Sequence, residues 1–174
     1  MKRLLFLLVS LSFTLHALAI DPLDGAFGLK FGDVFAPGQN NPSGMVRTDE
    51  HSRMLAYQFK PTAPNRFFDE YWVYIMPTTH RIFRIVAVGH AHTEDLAVSQ
   101  QNAVLAVARE KYTGDFSVHD RWVFQGLCSV TVRPPLAQAD GSFLWQVAYT
   151  NQALSERVLV QDNGTFDEVD DTGL

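Results

Sequence analysis

Two runs of β-branched and aromatic residues near the middle of the chain predict neighbouring strands. They span 71–76 and 81–88, and the four residues from Pro77 to His80 connect them. A connection of this length is typical of a β-hairpin. Both faces of the first run are apolar, which predicts a central strand with other elements packed on each side.

The spacing of the apolar residues changes after the hairpin and predicts a helix over about 94–112. Thr93 suits the N-cap, and the two acids that follow it are favoured by the helix dipole. Gly114 suits the position just past the helix end. We expect one apolar stripe of this helix to lie across the sheet. The stripe consists of Leu96, Ala103, Val104 and Val107, widened by Leu105, Ala108 and Tyr112.

Three further strands are predicted over 54–59, 122–132 and 143–150. The even positions of 122–132 carry most of its large apolar residues, and Pro134-Pro135 is expected to end the strand. The alternation within 143–150 is typical of a half-buried antiparallel strand. A short helix is predicted over 153–160. The order β-β-β-α-β-β indicates an α+β fold, an antiparallel sheet of about five strands with one main helix packed on one face.

The chain begins with a basic pair, Lys2 and Arg3, then an apolar run, then Ala17-Leu18-Ala19. This order predicts a signal peptide over 1–19. A membrane anchor is the alternative, but the run is short and interrupted by polar residues, whereas a span needs about 20 apolar residues. We therefore expect a periplasmic or secreted protein, free of the membrane after cleavage, with one domain over 20–165 and an acidic, flexible tail over 166–174.

The charge balance narrows the range of partners. Loss of the leader lowers the basic residues from 14 to 12 against 19 acidic residues, a formal net charge of −7. This charge argues against a nucleic-acid partner. Cys128 is the sole cysteine, so the chain has no internal disulfide, and its position within a strand predicts that it is buried.

The strongest metal-binding pattern is His90-x-His92-x-Glu94. In an extended chain these three side chains point the same way and suit Zn²⁺ or Cu²⁺, with Gly89 allowing the backbone to bend and His119 supplying a distant ligand. The alternative is a polar strand-to-helix loop in which Glu94 serves the helix dipole. If the cluster binds metal, the protein is a metal-binding protein or a metal-dependent enzyme, and both interpretations stay open.

Patterns for covalent or carboxylate catalysis are weak, which favours a protein that is not an enzyme. The chain has no Gly-x-Ser-x-Gly, and its neighbouring acids, such as Asp69 and Glu70, point apart on a strand.

Aromatic residues concentrated in the strands favour a binding module instead. If the helix covers one face of the sheet, the other face offers an aromatic surface for a protein or ligand. The candidate binding residues are Trp72, Tyr74, Trp145 and Tyr149. An equal alternative is that the Gly- and Pro-rich segment over 21–65, or a terminal segment, covers that face. The expected partner is another envelope or secreted protein, and no resident cofactor is required unless the histidines bind metal.

Several segments resemble uncharacterised small exported proteins of Gram-negative bacteria. The match includes Gly25-Ala-Phe-Gly-Leu-Lys-Phe-Gly-Asp33, the strand from Pro77 to Ile85, the helix end from Lys111 to Gly114, and the terminus from Val169 to Leu174. Here Thr113 intervenes in the Lys-Tyr-Gly-like helix end. The resemblance implies export and a single domain, and it implies no catalytic residue.

Overall fold

A computed structural model describes residues 23–37, 46–48, 54–112, 116–118, 121–124 and 128–157. Its strands are β1 (Gly25–Ala26), β2 (Leu29–Lys30), β3 (Val46–Thr48), β4 (Leu55–Gln58), β5 (Glu70–Ile75), β6 (Ile82–Ala91), β7 (Phe116–Val118), β8 (Arg121–Phe124), β9 (Cys128–Ala137) and β10 (Phe143–Asn151). The main helix α1 spans Glu94–Lys111 between β6 and β7. The predicted α+β class is confirmed.

The main sheet has the strand order β3-β4-β5-β6-β10-β9-β8-β7, and each neighbouring pair is antiparallel. The regions of the five predicted strands all contribute to it, and the short strands β3 and β7 extend its two edges. Strand β10 lies between β6 and β9. After β6 the chain passes through α1, forms β7, β8 and β9, and then returns to place β10 in the centre of the sheet, beside β6. The separate β1–β2 pair lies in the N-terminal arm, residues 23–37.

The prediction of one strand over 122–132 is wrong, because this region contains β8 and β9, which pair with each other. The prolines also do not end the second strand, which continues to Ala137. Between the pairs Arg133–Gln146 and Leu136–Leu144 the register shifts, so Pro134-Pro135 lie opposite Trp145 alone. At such a bulge the backbone does not need to donate hydrogen bonds to the neighbouring strand. Proline, which has no backbone N–H, is therefore tolerated there.

Helix α1 has the predicted N-terminal cap. The Thr93 hydroxyl accepts a hydrogen bond from the Leu96 N–H at 3.3 Å. The buried positions are Ala97, Gln101, Leu105 and Ala108. The predicted stripe is therefore wrong in part, because Leu96 and Val107 are 46% and 61% exposed. Apolar residues occur on two sides of this helix, so their spacing alone does not decide which side faces the sheet.

The first face of the sheet packs against α1 and the N-terminal arm. The arm makes a two-residue turn at Phe27 and Gly28, whose φ angles of 53° and 89° match a type I′ hairpin turn. The Phe27 ring meets three rings edge-on, with centroids 4.9 Å from Tyr71, 5.5 Å from Tyr149 and 5.8 Å from Phe68. This turn thus fixes a large aromatic anchor over the sheet.

The second face carries its own buried apolar cluster. Its members are Met54, Ala56, Trp72, Tyr74, Met76, Phe83, Val86, Val88 and Ala148. Leu144 and Leu154 pack against it, and Leu154 belongs to a helical stretch over 152–157. The Asn151 side chain accepts a hydrogen bond from the Leu154 N–H at 3.0 Å and begins that stretch. The short helix predicted over 153–160 is confirmed for its described residues.

Cys128 is 8% exposed in β9, which confirms the predicted burial. Burial, aided by the negative charge of Asp24, raises the pKa of its thiol. In the described ranges no helix combines the length and apolar character needed to cross a membrane. The predicted leader over 1–19 and the acidic tail over 166–174 lie outside the described residues.

Candidate binding groove

The three local residues of the predicted metal site lie on different elements. His90 is in β6, where its backbone N–H donates to Asp69 Oδ2 at 2.9 Å and its Nδ1 lies 3.5 Å from the same oxygen. His92 follows the strand and is exposed, while Glu94 begins α1. Across the described ranges, no three histidine, cysteine or acidic residues are placed to hold a metal ion. His119 lies outside those ranges, so a site that uses it stays a prediction.

Gly89 serves packing rather than a bend of the backbone. It lies inside β6, directly opposite Trp145 of β10. A Cβ at this position would lie 2.5 Å from the Phe67 carbonyl oxygen and 2.6 Å from the indole nitrogen of Trp145. The glycine therefore lets the indole ring and the 61–68 loop approach the strand closely.

The four aromatic residues predicted to bind a partner do not share one surface. Trp72 and Tyr74 belong to the cluster on the second face, whereas Trp145 and Tyr149 pack on the first face. Trp72, Tyr74 and Trp145 are 3%, 6% and 0% exposed, and Tyr149 is partly buried. In this structure all four contribute to the core, in keeping with the alternative that other parts of the chain cover the sheet.

A groove opens instead where the chain leaves β4 and returns to begin β5. Its volume is about 390 Å³. Its lining consists of Gln58, Phe59, Lys60, Pro61, Pro64, Phe68, Asp69 and Tyr71. The aromatic members are all at least 90% buried and form the floor, while Lys60, Pro64 and Asp69 are exposed at the rim. The groove thus joins an apolar floor to a rim with one positive and one negative charge.

The groove walls are held by hydrogen bonds to β5. The Phe59 N–H donates to the Tyr71 carbonyl at 3.0 Å, which extends the β4–β5 pairing by one residue. The Tyr71 hydroxyl accepts from the Asn65 N–H at 2.8 Å and donates to the Asn65 carbonyl at 3.1 Å. The Asn65 side chain in turn accepts from the Phe67 N–H at 3.0 Å. These bonds fix the 61–68 loop against the sheet.

Tyr71 has a structural role in the groove, because its surroundings keep its hydroxyl protonated. Burial raises the pKa of Tyr71, the hydrogen bond from Asn65 opposes that shift, and the nearby Asp69 carboxylate adds to it. The hydroxyl therefore stays protonated at neutral pH and keeps its two bonds to Asn65. Lys60 and Asp69 are left to make polar contacts with a bound molecule, beside the contact that Asp69 makes with His90.

The residues that form this groove were not identified as a site from the sequence. The strand predicted over 54–59 ends just before Pro61 and Pro64, and two prolines spaced among aromatic residues also build rigid apolar walls. No family model, curated protein or solved structure matches the chain.

Proposed function

We propose that this protein is an exported binding module that holds an apolar side chain of a partner protein in the groove beside β4 and β5. The partner is another envelope or secreted protein. The observation that supports the proposal is the aromatic floor of Phe59, Phe68 and Tyr71 beneath a charged rim.

The size and lining of the groove suit a small part of a peptide. Pockets that bind ligands combine apolar and aromatic walls with a few polar groups, in volumes of roughly 300–1,000 Å³. A groove of about 390 Å³ is near the lower end of that range and suits one or two side chains. We therefore expect an aromatic or branched aliphatic residue to enter between Pro61 and Pro64.

Rigidity favours binding at this place. The two bonds between Tyr71 and Asn65 already hold the loop in position, and two prolines restrict the backbone of the groove lining. A wall that is ordered before binding loses less conformational entropy when the complex forms.

The rim charges favour a peptide over a polyanion. Lys60 can pair with an acidic group of the partner, and Asp69 can accept a hydrogen bond from a backbone or side-chain N–H. The excess of acidic residues over the whole chain disfavours a ligand with many negative charges.

Photo-crosslinking from the rim tests this function. A benzophenone amino acid at position 60 is expected to capture a discrete partner in cells that export the protein. The matched control carries the same group at position 30, where Lys30 is also exposed but lies on the N-terminal arm.

A second change links the capture to the groove itself. Pro64→Arg places a long charged side chain at the exposed rim, and we expect it to reduce the position-60 adduct at least fivefold without changing the fold. Equal capture from positions 30 and 60, or no adduct at position 60, would contradict the proposal.

A further inference from the structure

The β1–β2 hairpin of the N-terminal arm contacts residues that form the groove. The Phe27 ring at its turn lies 5.8 Å from the ring of Phe68 and 4.9 Å from that of Tyr71, and both of these residues line the groove. The next residue, Gly28, lies so close to Thr62, in the loop beside the groove, that a Cβ on the glycine would overlap the threonine side chain. One turn of the arm therefore supports both the floor and the loop of the groove.

Side-chain packing holds this hairpin on the sheet, whereas backbone hydrogen bonds hold the end of the arm that follows it. The Gly32 N–H donates to the Ile82 carbonyl at 2.8 Å, and the Phe35 N–H donates to the His80 carbonyl at 2.9 Å. Within the described ranges, the backbone hydrogen bonds of residues 23–30 all stay inside the arm. The hairpin is therefore able to separate from the sheet without breaking a backbone hydrogen bond to it, which is typical of a segment that opens locally.

Docking of the hairpin and binding in the groove depend on the same side chains. With the hairpin docked, Phe27 packs against Phe68 and Tyr71, and Tyr71 in turn holds the loop through its two hydrogen bonds to Asn65. A groove that is ordered in advance loses less conformational entropy when a ligand enters it. Coupling between two sites is reciprocal, so a docked hairpin that favours binding is itself favoured by the bound ligand to the same degree.

We propose that Phe27 is a positioning residue for the groove: the docked β1–β2 hairpin keeps the groove in its binding shape, and an occupied groove keeps the hairpin docked. Phe27 acts through Phe68 and Tyr71 and does not touch the ligand itself. The inference rests on the proposed function, because it concerns the regulation of the same groove. Separation of the hairpin from the sheet lowers the affinity for the partner's apolar side chain.

Titration with N-acetylphenylalaninamide, a soluble mimic of one aromatic side chain, tests the effect of the hairpin on the groove. In nuclear magnetic resonance spectra the probe should shift the amide signals of the groove residues in wild type. Phe27→Ala should raise the dissociation constant of the probe at least about fivefold, the lower end of typical coupling between sites. Gln101→Leu is the control for general loss of stability, because it removes a buried hydrogen bond of α1 and leaves the groove lining intact. Its dissociation constant should stay within about twofold of wild type.

Hydrogen exchange of the wild-type chain tests the reverse effect and needs no variant that might fold poorly. The probe should slow the exchange of residues 25–30 and leave that of α1 unchanged. If the probe binds the wild-type groove but leaves exchange of the hairpin unchanged, or if the Phe27 and Gln101 variants bind it equally well, the inference is overturned and the proposed function stands. A probe that shifts no groove signal in wild type counts against the proposed function, and the inference is then overturned with it.

Discussion

The side-chain amide of Gln101 in α1 donates a 2.8 Å hydrogen bond to the backbone carbonyl of Arg133 in β9. That carbonyl directly precedes Pro134-Pro135, at the point where the β9–β10 register shifts. Gln101 is 7% exposed, and its neighbour Gln100 accepts a hydrogen bond at 3.2 Å from Trp145, the residue opposite the two prolines. Two adjacent glutamines thus hold the helix over the bulge.

Gln101→Leu should lower the free energy of unfolding by about 1–3 kcal/mol, because the Arg133 carbonyl loses its partner beneath the helix. Urea denaturation followed by circular dichroism measures the change. Asn102→Leu is the control, since Asn102 is exposed on the same helix and its replacement should cost much less. A Gln101 variant as stable as wild type would show that the carbonyl finds another donor.

Local sequence patterns were sufficient to predict most of the secondary structure. Thr93 and the acids after it located the start of α1, and the aromatic runs located β5 and β6, because capping and alternation depend on neighbouring residues. The hairpin of β8 and β9 was missed, because the alternation of apolar and polar positions over 122–132 was interpreted as one continuous strand. Which residues pair across a sheet depends on contacts distant in the sequence.

The site was harder to predict than the fold for the same reason. The His90 pattern assumed an extended chain through Glu94, but the strand ends at Ala91 and α1 then begins. The groove depends on the hydrogen bonds between Tyr71 and Asn65 and on the prolines joining Phe59 in one lining. None of these contacts leaves a periodic signal, so only the folded chain reveals them.

Gly89→Ala should destabilise the protein by about 2–3 kcal/mol, because the added methyl group meets the Phe67 carbonyl and the Trp145 indole and forces them apart. Thermal unfolding measures the loss, and tryptophan fluorescence reports the disturbed indole. Gly141→Ala is not a suitable comparison, because that glycine has a positive φ. Ala87→Gly in the same strand is the control, because it shows how far the melting temperature falls for another small substitution in β6. An unchanged melting temperature would contradict the close packing at Gly89.

Phe27→Ala should cost about 2–3 kcal/mol, since it removes three edge-on ring contacts together with the apolar surface that Phe27 buries. The N-terminal arm should then separate from the sheet more readily. Hydrogen exchange of residues 23–37 measures that separation, and denaturation measures the stability. Val34→Ala is the control on the same arm, because Val34 is 63% exposed. Similar losses for both variants would mean that Phe27 is not the anchor.

Three neighbouring tyrosines, Tyr71, Tyr112 and Tyr149, resist ionisation. Burial is the main cause that raises the pKa of Tyr149, and the neighbouring Tyr112 and Tyr71 raise it further. Burial also raises the pKa of Tyr71 and of Tyr112. In the unfolded chain each of these groups returns to the ordinary pKa of about 10.

Stability should therefore be insensitive to these tyrosines below pH 10 and should fall as the pH rises beyond it. Above that point the unfolded chain has lost protons that the folded chain still holds, which favours unfolding by at most about 1.4 kcal/mol per pH unit for each tyrosine. Urea midpoints between pH 8 and 11.5 measure the fall. Tyr149→Phe keeps the ring but removes the ionising group, so its midpoint should fall less steeply than that of wild type. If the two proteins instead lose stability in parallel above pH 10, Tyr149 ionises as readily in the folded chain as in the unfolded one.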